Sequence, residues 1–341
     1  MDTSAGSLKR TAMPMLSWRT VLASGTVMSV VVLVVLLTVW SYYQPGGLTI
    51  VEWTDFSTLM TTLALAGFGT TLVVISGGFD LSVAGVISVV NAYVATRMSP
   101  DNVVKVCVTV VVIGLAIGLL NGFAVAILRL ESIAATLATY IMLAGVALLI
   151  LDAPGGTVPE SFSNAITTDH GGVPDALWVL LGLAVLWVLF RRTKFGTGLF
   201  ALGENEDAAR MSGVPTRVVK MGAYALAGVM YALAGLYLSA VTVTGDPNSG
   251  TPFLLATFAA VALGGASLAG GRGSAIGTIL GAGVLSVIPK VLFVLGASDF
   301  WAGLVQGFVI IAAVLLGLAS VRLSESRKRR PIAPQAGEGK A

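Results

Sequence analysis

From Val21 to Trp40 the chain runs for 20 residues without a charge, and that stretch limits what the molecule can be. A helix of about twenty apolar residues rises roughly 30 Å, the thickness of a bilayer's hydrocarbon core. Similar apolar runs, cut by polar or Gly/Pro punctuation, follow at 56–76, 82–98, 103–128, 132–151, 175–190, 217–241, 252–268, 275–296 and 299–321. Composition agrees: 56% of residues are hydrophobic and 11% charged, and mean hydropathy is +0.91, against roughly 25% charge in a soluble domain. The expectation is an all-α integral membrane protein with about ten transmembrane helices. Lys9, Arg10 and Arg19 precede the first run as in a signal peptide. That run is long enough to span and has no small-x-small cleavage site, so it reads as a retained first helix.

A formal net charge of +3 invites a nucleic-acid reading, which the placement of the charges excludes. Basic residues gather in the tails and in one loop, where Arg191, Arg192, Lys194, Arg210, Arg217 and Lys220 fall. Loops 41–55 and 152–175 hold acids and no Lys or Arg. By the positive-inside rule, 1–20 is a cytoplasmic tail, 21–322 the transmembrane domain with a cytoplasmic loop at 191–216, and 323–341 a basic cytoplasmic tail. Arg97 and Lys105 run against the pattern. The implied location is a cytoplasmic (inner) membrane, with both termini inside.

The chain also matches itself. Gly77-Gly-Phe-Asp-Leu81 aligns with Gly264-Gly-Ala-Ser-Leu268 at an offset of 187, and Gly118-Leu-Leu-Asn-Gly-Phe123 with Gly303-Leu-Val-Gln-Gly-Phe308 at an offset of 185. Six spans separate the copies, so the repeat is parallel, a transporter habit that places the pathway near broken helices. The Gly pairs at Gly77 and Gly264 are the expected breaks.

Few residues could carry chemistry. Asp80, in Ser76-Gly-Gly-Phe-Asp-Leu-Ser82, is a carboxylate between apolar runs, costly unless paired or wetted. Three roles are open to it: a helix cap or hydrogen-bond hub shared with Ser82, a polar contact or gate for a solute, or a proton carrier. Gly77, Gly78 and Phe79 share that element. Asn121, in Gly118-x-x-Asn-Gly122, suits either close helix packing or pathway lining. In the basic loop, Asn205 is placed to cap a short helix with Glu206 and Asp207 in its first turn, Arg210 near its last and Gly213 as its stop. There is no Walker A sequence, no His/Cys metal set and no Ser/His/Asp set. His170 is the single histidine, in an acidic loop, and Cys107 the single cysteine, in an apolar run.

Four elements resemble the ribose-type permeases of bacterial ABC importers. They are Gly77-Gly-Phe-Asp-Leu-Ser-Val83, Gly118-Leu-Leu-Asn-Gly122 through Ala134-Ala-Thr-Leu137, Thr193-Lys-Phe-Gly196 through Ala208-Ala-Arg-Met-Ser-Gly-Val214, and Ala262-Leu-Gly-Gly-Ala-Ser-Leu-Ala-Gly-Gly-Arg-Gly273. The resemblance implies a transport subunit without enzymatic activity. Its partners would be a second permease chain, an ATP-binding-cassette ATPase that holds the ATP and Mg, and an extracytoplasmic sugar-binding protein. The chain itself would need no cofactor. It further implies that Gly203, Glu204, Asn205, Ala208, Ala209, Arg210 and Gly213 form the element that engages the ATPase, and that Gly77, Gly78, Phe79, Asp80, Ser82 and Asn121 lie along the pathway or its gate. Phe79 departs from the family's usual Ile, which leaves the solute open. The rival readings are an ion-coupled secondary transporter using Asp80, and an ABC permease for nucleosides, amino acids or a sugar-derived signal.

Overall fold

A computed structural model of the protein describes residues 25–298 and, from 301 to 312, all but 302, 306 and 310. Both predicted tails, and most of the run at 299–321, lie outside the described residues. The chain is helical, as its apolar runs require: α1 (Gly25–Tyr43), α2 (Ile50–Ile75), α3 (Val83–Arg97), α4 (Val103–Ala126), α5 (Ser132–Ile150), α6 (Glu160–Thr167), α7 (Asp175–Phe190), α8 (Lys194–Glu204), α9 (Glu206–Met211), α10 (Thr216–Thr242), α11 (Phe253–Leu263) and α12 (Ala275–Val294). Two-residue strands β1 (Asp169–His170) and β2 (Val173–Pro174) pair as a small hairpin between α6 and α7.

Six of these helices, α1, α2, α4, α5, α10 and α12, are long and apolar enough to cross a membrane. A seventh crossing is available if α7 and α8, bent by 78° at their junction, count as one span. This corrects two of the expected ten. The runs at 82–98 and 252–268 are helical only over the 15 residues of α3 and the 11 of α11, about 22 and 16 Å. Each is completed by irregular backbone, which a hydropathy window cannot distinguish from helix.

Helix α2 is the axis of the bundle. Of its most apolar stretch 94% is buried, against 11% in α5, 17% in α1 and 22% in α4. The peripheral helices therefore present apolar flanks, with Leu149 88% and Val104 76% exposed, as lipid or another chain demands. Phe68 of α2 meets Trp187 of α7 edge to face at 6.0 Å. The most extensive seam joins α4 to α10. A Cβ on Gly118 would lie 2.3 Å from the Tyr224 carbonyl oxygen, so the helices touch backbone to backbone as small residues four apart allow.

The bundle has two distinct ends. One carries α8, α9 and the turns at 76–82 and 264–274, and is called the α8 face. The other carries the hairpin, α6 and loop 151–159, which hydrogen-bonds to the end of α10 through Gly155–Gly245 and Val158–Val243 pairs. It is called the hairpin face.

Candidate functional site

The site is built on the end of α2. Gly77 adopts φ +82°, and two amides close the helix: Gly77 N–H to the Val74 carbonyl at 2.9 Å and Gly78 N–H to the Val73 carbonyl at 3.1 Å. This is a Schellman stop with glycine at its left-handed position. Past it the backbone is irregular, and buried peptide groups need partners. Ser132 Oγ accepts from the Phe79 amide at 3.2 Å and Thr136 Oγ1 from the Leu81 amide at 3.0 Å. The Tyr224 hydroxyl donates to the Phe79 carbonyl at 3.2 Å. Helices α5 and α10 thus hold the turn open.

Asp80 is fully buried within this turn. Its Oδ1 accepts from the Ser82 amide at 3.0 Å and the Ser82 hydroxyl at 2.6 Å. Asn121 Nδ2 donates to Ser82 Oγ at 2.9 Å, and Thr139 Oγ1 donates to Asn121 Oδ1 at 2.6 Å. One chain of polar groups therefore runs Asp80–Ser82–Asn121–Thr139, across α4 and α5. Neither expected cap forms at α3: Ser82 occupies the N-cap position without a side-chain bond to the helix, and Asp80 bonds Ser82 instead. Asp80 Oδ2 has no hydrogen-bond partner among the described residues. Phe79 packs on Phe258 of α11, ring centroids 5.7 Å apart.

The second expected element is more regular than a loop. Thr193 caps α8 through its hydroxyl and the Gly196 amide at 3.0 Å, and α8 covers residues read from the sequence as irregular. Asn205 Oδ1 accepts from the Ala208 amide at 2.9 Å, capping α9, and Gly213 at φ +82° ends it with its amide on the Arg210 carbonyl. Arg210 pairs with Asp207 at 2.7 Å and Lys220 with Glu206 at 2.6 Å. Ala209 is buried while Ala208 and Met211 are exposed, so the apolar side chains of α9 divide between two faces.

The two elements meet. A Cβ on Gly203, at the end of α8, would lie 1.7 Å from the Ile75 carbonyl oxygen and 2.5 Å from the Gly271 nitrogen. Only a glycine lets three backbones converge there. Arg272 reaches Glu204 at 3.8 Å. Beside this junction opens a cleft of about 750 Å³ lined by Gly77, Gly78, Ser132, Glu206, Asp207 and Arg210, among others. Of the sequence-predicted residues, Gly77 and Gly78 of the pathway set and Arg210 of the α8–α9 set line this one cleft. Asp80, Ser82 and Asn121 sit one layer deeper.

The repeated Gly-Gly turn has the same construction. Gly265 also adopts φ +82°, with amides of Gly265 and Ala266 on the carbonyls of Ala262 and Val261. In backbone terms Gly77 corresponds to Gly265, an offset of 188, one residue from the register read off the letters. The second sequence match includes Gln306, which lies outside the described residues.

Comparison with known proteins decides the family. A family model described as the branched-chain amino acid transport system / permease component matches residues 53–314. The chain belongs to this permease family. The ribose import permease protein RbsC of Escherichia coli is 32% identical over 298 residues, covering 84% of this chain and 92% of RbsC. The galactose/methyl galactoside import permease protein MglC of Escherichia coli is 30% identical over 308 residues, with the same shares. A probable ABC transporter permease protein, y4mJ of Sinorhizobium fredii, is 30% identical over 285 residues, covering 81% of this chain and 84% of y4mJ. No solved structure matches the chain. The permease is accordingly a multi-span membrane transport component and not an enzyme.

The sequence reading missed residues 243–252, which leave α10 and pass back along α3 before α11 begins. Asn91 of α3, 1% exposed, accepts from the Asp246 amide at 2.7 Å and donates to Ser239 Oγ at 3.0 Å. No local signal marks this segment, because its letters are those of an ordinary surface loop.

Proposed function

We propose that this permease, paired with a second permease chain, forms the membrane path of an ABC importer for a sugar, and that a separate ATPase drives it through α8 and α9. The observation that carries the reading is the backbone junction of Gly203, Ile75 and Gly271. A force applied to α8–α9 at the bundle surface reaches the ends of α2 and of the 264–274 turn without an intervening side chain. Coupling by a remote ATPase needs a rigid connection of this kind between the two sites. Ala208, Arg210 and Met211 supply the exposed surface for the ATPase, which binds ATP and Mg, while Ala209 and Gly213 shape α9.

Gly77, Gly78 and Phe79 form the gate region, and Asp80, Ser82 and Asn121 hold it from behind. The sugar assignment rests on relatives whose names specify ribose and galactose or methyl galactoside import. Ten crossings follow if the bent α7–α8 pair is one span, α3 and α11 each complete a span with irregular backbone, and 299–321 forms the last. The charge pattern then puts the α8 face and both tails in the cytoplasm of a bacterial inner membrane. The hairpin face, with Asp152, Glu160, Asp169 and Asp175, receives the sugar-binding protein outside.

A pull-down of tagged permease from detergent, with mass spectrometry, tests the partnership. An ATPase subunit in near-equal amount is the expected result. A permease that purifies alone under conditions preserving transport would overturn the reading.

A further inference from the structure

The segment between α10 and α11 is irregular backbone that runs alongside α3, an apolar helix, for most of that helix's length. Helix α10 ends at Val243, whose φ of +56° is a left-handed conformation that a β-branched residue rarely adopts. The chain then turns toward the α8 face alongside α3. Gly245 lies against Ala95, near the hairpin-face end of α3, and a Cβ on Gly250 would lie 1.9 Å from the Ala84 carbonyl oxygen, near its other end. Between them Asn91 accepts from the Asp246 amide, and Ser88 Oγ accepts from the Gly250 amide at 3.0 Å. One edge of the segment is thus fastened by buried side chains in the middle of α3.

The opposite edge is open. Thr244, Asn248, Thr251 and Pro252 are exposed, while Asp246 Oδ1 accepts from the Asn248 amide at 2.8 Å and fixes that turn. Non-helical backbone and free amide or hydroxyl groups are not tolerated against lipid tails; at this depth they occur where protein or a water-filled cavity covers them. The edge carries polar side chains at Thr244, Asn248 and Thr251, unlike the apolar centre of a permanent protein–protein interface. It also starts at the surface of the hairpin face, where Thr244 Oγ1 donates to the Gly155 carbonyl at 3.3 Å, and continues to Thr251, which is exposed.

We propose that residues 244–252 form one wall of the water-filled solute path, with Thr244, Asn248 and Thr251 offering hydroxyl and amide groups to a neutral polyhydroxylated solute. The choice of solute class rests on the import function proposed above; the placement of the wall does not. Uncharged donors and acceptors exchange hydrogen bonds with a sugar as they would with water, so a solute is guided without being trapped.

The test uses the complete importer with Cys107→Ser as background. Asn248→Cys is exposed to a membrane-impermeant thiol reagent from the hairpin side, with Ile141→Cys, an exposed apolar site midway along α5, as the lipid-facing control. The proposal expects Asn248→Cys to react at least about tenfold faster than the control, modification to stop sugar uptake while ATP hydrolysis persists, and saturating sugar with its binding protein to slow the reaction. Thr251→Cys should behave alike. Reaction no faster than at Ile141→Cys, or ready disulfide formation between two Asn248→Cys chains with no reagent access, would overturn the wall. Uptake by the unmodified variants is read separately: if it remains ATP-driven while labelling fails, only the wall is wrong, and if it does not need ATP, the importer reading fails instead.

Discussion

The amide of Gly271 donates to the carbonyl of Ile75 at 2.9 Å, tying the last residue of α2 to the turn that precedes α12. Gly203 fills the remaining space beside both. The end of α2 and the 264–274 turn are therefore joined at the α8 face through Gly270 and Gly271, and α8 is wedged against the joint.

A side chain at Gly203 cannot enter without parting those backbones. Gly203→Val should destabilise the permease by about 1–3 kcal/mol, the usual cost of overpacking, seen as a lower thermal midpoint in detergent. Gly182→Ala, inside α7 with nothing within 4 Å of the added methyl, should leave the midpoint unchanged or raise it slightly. Equal midpoints for the two variants would contradict the junction.

Asp80 works here as an acceptor. An amide at this position keeps an oxygen for Ser82, so Asp80→Asn should retain ATP-driven uptake within a few-fold. Asp80→Leu strands the Ser82 amide in a buried site, at a cost of about 1–3 kcal/mol, and should lose assembly. If both variants fail equally, the charge itself is required.

The surface of α9 should matter to association more than to stability. The Lys220–Glu206 pair is partly exposed, and such pairs contribute about 1 kcal/mol or less. Glu206→Lys should therefore leave the thermal midpoint nearly unchanged while weakening ATPase binding about tenfold or more, a shift of roughly 1.4 kcal/mol. Unchanged ATPase binding would remove α9 from the interface.

How much of this the sequence carried depends on how local the cause was. Helix α9 was legible because Asn205, Glu206, Asp207 and Gly213 announce a cap, a first turn and a stop within nine residues. Helix α8 was not, since Gly196, Gly198 and Gly203 lower helix propensity and are there for packing: Gly196 meets the Phe190 carbonyl and Gly203 the Ile75 carbonyl. The turn after α2 was visible as Gly77-Gly78, but the partners that hold it, Ser132, Thr136 and Tyr224, are distant in the chain. The repeat register slipped by one residue because letters align Gly with Gly, whereas the backbone aligns left-handed positions. The 243–252 segment stayed hidden because its depth is set by Asn91, 155 positions from Asp246.

The orientation can be read with two cysteines in the Cys107→Ser background. Asp169→Cys, on the hairpin face, should react with an impermeant reagent in intact cells. Ala208→Cys, exposed on α9, should react only after the membrane is opened. The reverse pattern would invert the topology and move the ATPase surface to the wrong side.

The most direct measurement is uptake into proteoliposomes holding the permease, its ATPase and the sugar-binding protein, with ATP inside and all ion gradients collapsed by ionophores. Sugar accumulation that follows ATP hydrolysis and persists without gradients is the predicted result. Accumulation that needs a proton or sodium gradient and ignores ATP would contradict the account, and would turn the unpartnered oxygen of Asp80 into an ion-coupling group.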